Sequence, residues 1–326
     1  MNILYIIGNG LDIAHHLKTS YQEFFQHYLA IQTKDVDIAS MKTDIEKNRY
    51  KTWSDLEIGL GLYSGKCSSK EVFLKCLADL KTNLKRYLEG ELEKIKLYDK
   101  TSLKRLYELD DLFEPEPLER YRAFLSDYPN ESNDIDIITL NYTPTLETIT
   151  GFEGTPVRLN AMDELNSILH VHGTLDNMMT MGVNDASQIA NASLSSDIDV
   201  IEEFIKPEYN DACMNNKNNA CKALIEEADI IVIYGSSVGP SDDIWWKLIG
   251  KRLVANDYPL LVYLPFDENK NLATEPNRLR RWTLAYISEI KEKFDISLPE
   301  EELFNRVCVA INKQLIPLKR VMVVTK

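Results

Sequence analysis

Short apolar runs, each stopped by small or polar residues, constrain this 326-residue chain more than any other feature. Ile3–Ile7 is almost wholly apolar and ends at Gly8-Asn9-Gly10. Runs of the same kind recur at Ile135–Leu140, Ile168–Val171, Ile230–Tyr234 and Leu260–Leu264, with a weaker one at Val321–Val324. Strands buried on both faces of a sheet show little polar alternation and read this way. Helical patterns separate most of the runs, and that alternation predicts an α/β fold, a Rossmann-like parallel sheet covered by helices.

The stretch from Tyr21 to Ser126 breaks the alternation, because it holds no convincing strand. Ser20-x-x-Glu23, Ser54-x-x-Glu57 and Ser68-x-x-Glu71 are capping-box patterns placed before or within apolar-periodic segments. Leu74, Leu77, Leu80, Leu84 and Leu88 recur at three- and four-residue steps, and Ile95, Leu103 and Leu106 come after them. That spacing predicts an apolar stripe along a long helix or helical pair, with the alternating Lys and Glu residues on a solvated face. The expected organisation is a Rossmann-like nucleotide-binding core, residues 1–20 and 127–326, carrying a large all-helical insertion, residues 21–126. Within the core, the segment 184–219 reads as an irregular excursion suited to a lid, and Asn215–Asn219 as an exposed loop tip.

Composition narrows the function classes. Lys and Arg number 37 against 51 Asp and Glu, a net charge of −14, which argues against a broad nucleic-acid or anionic-membrane surface. The longest apolar runs are far too short to span a bilayer, and the first residues lack the basic region of a secretory signal. Five cysteines without a Cys-x-x-Cys indicate neither a disulfide framework nor a four-thiolate zinc site. A cytoplasmic protein is expected, with no membrane partner and no metal.

The informative residues stand just past the strands. Ile3–Ile7 runs into Gly8-Asn9-Gly10-Leu11-Asp12, Ile135–Leu140 into Asn141-Tyr142-Thr143, and Ile168–Val171 into His172-Gly173-Thr174. Ile230–Tyr234 runs into Gly235-Ser236-Ser237-Val238-Gly239. In an open parallel sheet these ends share one edge, where ligands bind in the crevice. Two glycine turns with an amide and an imidazole at that edge suggest a nucleotide pocket with chemistry beside it. Each element also has a plainer reading. Tight strand-to-helix turns need glycine without any ligand, Asn141 can start an Asx-turn, and a histidine at a strand end can simply bind a loop. The glycine fingerprint is incomplete, since Ile13 stands at its third position, and no Walker-type Gly-Lys-Ser/Thr exists. His170 and His172 alternate by two, a geometry that can ligate metal, but no third ligand is evident nearby. Asp12 suits a ribose hydroxyl or a helix cap equally. Asp242 stands just past the second glycine turn. Whether Trp53, Asp55 and Glu57 face the cleft is left open, since packing and capping explain them as well.

Several of these segments resemble the AbiH abortive-infection proteins. The resemblance is carried by Asn2–Asp12 with Leu17–Phe24, by Trp53–Glu57, by Leu140–Glu147, by His170–Gly173 and by Tyr234–Asp242, in that order along residues 1–250. Leu11 stands where the family usually has Phe. The resemblance implies an anti-phage effector, with a phage-derived or partner-protein trigger. More remotely, the chain is similar in kind and order to sirtuin-like NAD-consuming domains. Asn141 and His172 match the pair flanking the nicotinamide ribose, and Gly235–Ser237 the turn holding the adenosine side. The zinc module of sirtuins has no counterpart here, which turns the implied chemistry from deacetylation to NAD cleavage by water.

On that basis the expected substrate is NAD or a related nucleotide, with Asn141 and His172 as the catalytic residues. Gly8, Asn9, Gly10, Asp12, Thr143, Gly173, Gly235, Ser236, Ser237 and Asp242 would bind the nucleotide. Two other readings stay open: a nucleotide-sensing module without turnover, and a metal-dependent nuclease-type toxin. A homo-oligomer formed through the helical insertion is compatible with each.

Overall fold

The computed structural model describes residues 1–93, 100–128 and 132–317. Its centre is a seven-stranded sheet built from β1 (Asn2–Ile7), β2 (Asp134–Thr139), β3 (Val157–Arg158), β4 (Glu164–His170), β5 (Ile230–Tyr234), β6 (Leu260–Leu264) and β7 (Val307–Val309), in the order β3-β4-β2-β1-β5-β6-β7. Only the two-residue β3 runs antiparallel; the other neighbours are parallel. Counting the parallel strands alone, the order is third-second-first-fourth-fifth-sixth, that of a doubly wound sheet whose direction of travel reverses beside β1.

The apolar runs form strands because both faces of the sheet are covered. In β1, Leu4 and Ile6 point into one buried cluster while Ile3, Tyr5 and Ile7 point into another. In β5, Ile231 and Ile233 likewise oppose Ile230 and Val232. The runs at 230–234 and 260–264 match their strands residue for residue. β4 begins four residues earlier than the apolar run, because its polar Glu164, Asn166 and Ser167 lie on a half-buried strand near the sheet edge. β7 is too short to give a readable run, and the run at Val321–Val324 lies outside the described residues.

The helices are α1 (Gly10–Ala14), α2 (Tyr21–Ala30), α3 (Val36–Asn48), α4 (Leu56–Tyr63), α5 (Lys70–Leu92), α6 (Pro115–Leu125), α7 (Thr145–Thr150), α8 (Ile198–Phe204), α9 (Lys206–Ala212), α10 (Lys217–Glu227), α11 (Asp243–Val254), α12 (Leu279–Lys293) and α13 (Glu300–Arg306). Residues of α10 to α13 pack on one sheet face; residues of α1, α6 and α7, with Leu103, Leu106 and Leu109, pack on the other. A third cluster joins α2 to α5 with α8 and with Leu175, Met181 and Val183. Phe73, Cys76, Leu77, Leu80, Leu84 and Leu88 make the buried stripe of α5.

Of the three expected capping boxes, one forms. Ser20 and Glu23 make a reciprocal box on α2. On α4 the cap is Asp55, which accepts from the Glu57 and Ile58 amides, while Ser54 turns back to the Lys51 carbonyl. On α5 the cap is Ser69. Both of these caps stand one residue beyond the expected serine, where the neighbouring acceptor reaches the open amides in better geometry. The excursion 184–219 is also more regular than expected. It contains α8 and α9, and its Asn-rich tip leads directly into α10, with Asn210, Asn215 and Asn218 hydrogen-bonded among themselves.

Candidate functional site

The carboxyl ends of β1, β2, β4 and β5 open into a cleft of about 460 Å³, within the roughly 300–1,000 Å³ usual for small-molecule sites. Gly8, Asn9, Gly10, Asp12, Asn141, Thr143, His172, Gly235, Ser236, Ser237 and Asp242 line it from the sheet side. The opposite wall comes from the helical layer, through Ser20–Gln22, Asp55, Glu57, Leu84 and Leu88. Of the residues singled out in the sequence, Gly173 does not line the cleft. Its φ of +74° lets a tight turn form where a Cβ would come within 2.0 Å of the Met178 carbonyl oxygen. Asp55 and Glu57 face the cleft, whereas Trp53 is buried in the helical cluster and donates Nε1–H to Asp44.

The glycine turns have a cause within the fold. The Gly10 amide donates to the Gly235 carbonyl at 2.7 Å, and the Gly8 amide to that of Tyr234 at 2.9 Å. A Cβ on Gly10 would lie 2.5 Å from the Gly235 Cα. The turns after β1 and β5 therefore interlock backbone to backbone, and this meeting alone requires glycine. The Asn9 side chain also serves the fold, exchanging hydrogen bonds with Thr19.

Asn141 is 7% exposed and donates Nδ2–H to the Gly8 carbonyl at 3.3 Å, which ties the end of β2 to the β1 turn. Its other N–H and its carbonyl oxygen are the groups it can offer a ligand. No Asx-turn holds it; its own amide donates to the Thr139 hydroxyl. His170 has partners of its own. Its Nδ1 meets the Asn141 backbone carbonyl at 2.8 Å and its Nε2 meets Glu147 Oε1 at 2.7 Å. The two imidazoles thus serve different partners, His170 fixing the backbone beneath Asn141. Asp12 lies inside α1 rather than capping it. It is buried and accepts from the Thr143 hydroxyl at 2.6 Å, while its Oδ1 has no hydrogen-bond partner. Burial pushes its carboxyl up to about 6, against the lowering effect of the Thr143 hydroxyl.

His172 lines the cleft beside Asn141. Its Nε2 is 2.8 Å from Asp242 Oδ1, and its Nδ1, although buried, has no hydrogen-bond partner. An ionised carboxylate only accepts, so the ring hydrogen sits on Nε2 and Nδ1 carries a lone pair. Burial lowers the pKa of this histidine, and the nearby Lys206 ammonium lowers it further, overriding the pull of Asp242. A neutral imidazole with a fixed tautomer and an unused lone pair can accept a proton from a group that reaches Nδ1.

Lys206 carries no mark in the sequence. It stands in the segment expected to be an irregular lid, and its buried Nζ donates to Glu57 Oε2 at 2.8 Å, to Asp242 Oδ1 at 2.9 Å and to the Ser241 carbonyl at 2.9 Å. Burial would raise the Asp242 carboxyl, but Lys206 and His172 hold it well below the ordinary range. Burial drives Glu57 the other way, up to about 7, even with Lys206 against it, and the neighbouring charges of Asp242 and Asp55 add to the rise. No local pattern could have found Lys206, because its three partners lie between 35 and 149 residues away. Among the described lining residues the acidic and basic side chains are four carboxylates and one imidazole, so the cleft is acidic.

A sequence model of the family described as "Bacteriophage abortive infection AbiH" matches residues 4–263. The chain belongs to that family. Membership in AbiH implies a role in the abortive infection of bacteriophage, and the matched span contains every cleft residue named above. No curated protein matches the chain. No helix among the described residues is long and apolar enough to cross a membrane.

Proposed function

We propose that this AbiH chain acts in abortive infection by hydrolysing NAD at the N-glycosidic bond, in a pocket of the sirtuin-like type. The observation that carries the reading is the unpartnered Nδ1 of His172, a residue that lines the same cleft as Asn141, at the reversal point of a doubly wound sheet. Nicotinamide leaves as a neutral molecule, so the reaction needs no acid for its leaving group. What it needs is an oriented ribose, one positioned water and stabilisation of an oxocarbenium-like cation. As the C1′–N bond breaks, its electron pair neutralises the pyridinium nitrogen. A water oxygen then bonds to C1′, its proton passes to His172 Nδ1, and ADP-ribose and nicotinamide leave. Asn141 orients the water or the ribose hydroxyls.

The acidic lining favours one orientation of the substrate. Glu57 and Asp242 are held by Lys206, which leaves Asp12 and Asp55 to attract the cationic nicotinamide ring and the developing oxocarbenium and to repel a pyrophosphate. The phosphates then lie on the backbone of Gly8–Gly10 and Gly235–Ser237, away from Glu57. The helical layer of α2 to α5 has the task of contacting a second copy or a phage-derived trigger. Exposed Val36 and Tyr50 lie within that stretch.

The test is nicotinamide release from NAD by purified protein, with and without lysate of phage-infected cells. Turnover that falls at least about 100-fold in Asn141→Ala and His172→Gln, both still folded, supports the reading. Saturable NAD binding with no product in any condition replaces hydrolysis by sensing, and neither binding nor turnover removes the nucleotide altogether.

A further inference from the structure

The buried ionic network behind His172 is larger than the base itself requires. Lys206 on α9 bridges Glu57 on α4 and Asp242 at the start of α11, and Asp242 in turn accepts from His172 beyond the end of β4. The Glu57 side chain also accepts from the Gly182 amide at 3.1 Å. The side chains of Lys206 and Glu57 are only 5% and 4% exposed. Burying two carboxylates on one ammonium is costly unless geometry repays it, so a purely structural role could be filled at lower cost by apolar residues.

We infer that Lys206 and Glu57 are positioning residues for His172: Lys206 anchors Asp242 so that the carboxylate holds the Nε2–H tautomer without drawing a proton onto Nδ1, and Glu57 fixes Lys206 in that place. The inference deepens the hydrolytic reading and rests on it for the use of the base, but its central claim concerns the imidazole. An isolated Asp242 beside His172 would stabilise the imidazolium, which is no base. An ammonium 2.9 Å from the same oxygen cancels that pull and repels a second positive charge. The groups that face His172 are Asp242, Lys206 and Lys217, with Glu57 acting through Lys206. Of these four, Glu57 stands on the helical layer and Lys206 on the 184–219 segment, so the tautomer depends on both being in place.

The experiment observes the ring nitrogens directly. Long-range proton–nitrogen correlation spectra of [15N]histidine-labelled protein, with the His172 signal assigned by His172→Gln, report which nitrogen carries hydrogen as pH is varied. The native chain should show the neutral Nε2–H form throughout the neutral range. In Lys206→Met the protonation midpoint should rise by at least one pH unit, a tenfold gain in proton affinity. In Glu57→Gln it should not rise, because the amide oxygen can still accept from Lys206 and hold it beside Asp242, and a negative rather than a positive charge has been removed. If Lys206→Met alone fails to fold, the double variant Lys206→Met with Glu57→Gln removes one charge of each sign and should still raise the midpoint. An unchanged midpoint in a folded Lys206 variant, or an equal rise in Glu57→Gln, overturns the inference. The spectra do not depend on turnover. Loss of the hydrolytic reading therefore shows as absent nicotinamide with these shifts intact, and loss of the inference as nicotinamide release without them.

Discussion

At the scale of single residues, the site is governed by what burial does to charge. Asp12 is 1% exposed and its carboxyl is pushed up to about 6 from the ordinary 3.8. Both folded and unfolded forms carry the proton below pH 4, so no penalty exists there. As pH rises through 6 the folded chain must ionise a buried group, and stability is lost by about 2–3 kcal/mol. Asp12→Asn should therefore be more stable than the native chain at pH 7.5 by an amount of that order, with the gap closing toward pH 4; urea titrations at the two pH values measure it. Asn141 and His172 are legible in the sequence because each ends an apolar run, where a parallel sheet must place its polar edge. Lys206 is not, since a lysine before Pro207 in a polar stretch has no local mark, and its meaning comes only from Glu57 and Asp242. The glycines are legible as glycines, but the meeting of the β1 and β5 turns, which explains them, is a long-range contact that no local pattern records.

Elements inherit their limits from the same competition between local and distant partners. The strands at 230–234 and 260–264 are readable because both faces are apolar, while β4 is readable only in part and β7 not at all. Capping is readable to within one residue. Asp55→Ala should cost about 0.5–2 kcal/mol by exposing the amides at the start of α4, whereas Ser54→Ala should cost little; thermal unfolding of the two variants separates them. Glycine substitutions give a sharper contrast. Gly90 lies in α5 with nothing within 4 Å of the place a side-chain carbon would take, so Gly90→Ala should stabilise by about 0.5–1 kcal/mol. Gly10→Ala forces a methyl group into the backbone of Gly235 and should destabilise by about 1–3 kcal/mol or more. Denaturant midpoints read both.

For the whole molecule, the cleft lies between the strand ends and the helical layer, so a ligand there must touch both. NAD at 100 times its dissociation constant should add about 2.7 kcal/mol to stability, seen as a rise in Tm. Hydrogen exchange should slow together at the Gly8–Gly10 turn and at the start of α4; protection of one wall alone would place the nucleotide elsewhere. The interlocked turns also bear on biosynthesis. Because residues 8–10 complete their fit only against residue 235, a growing polypeptide has no cleft floor until most of it has left the ribosome, on the order of ten seconds or more after the first strand at about 5–20 residues per second. A translation fragment that ends before residue 235 would lack the partner on which the β1 turn closes.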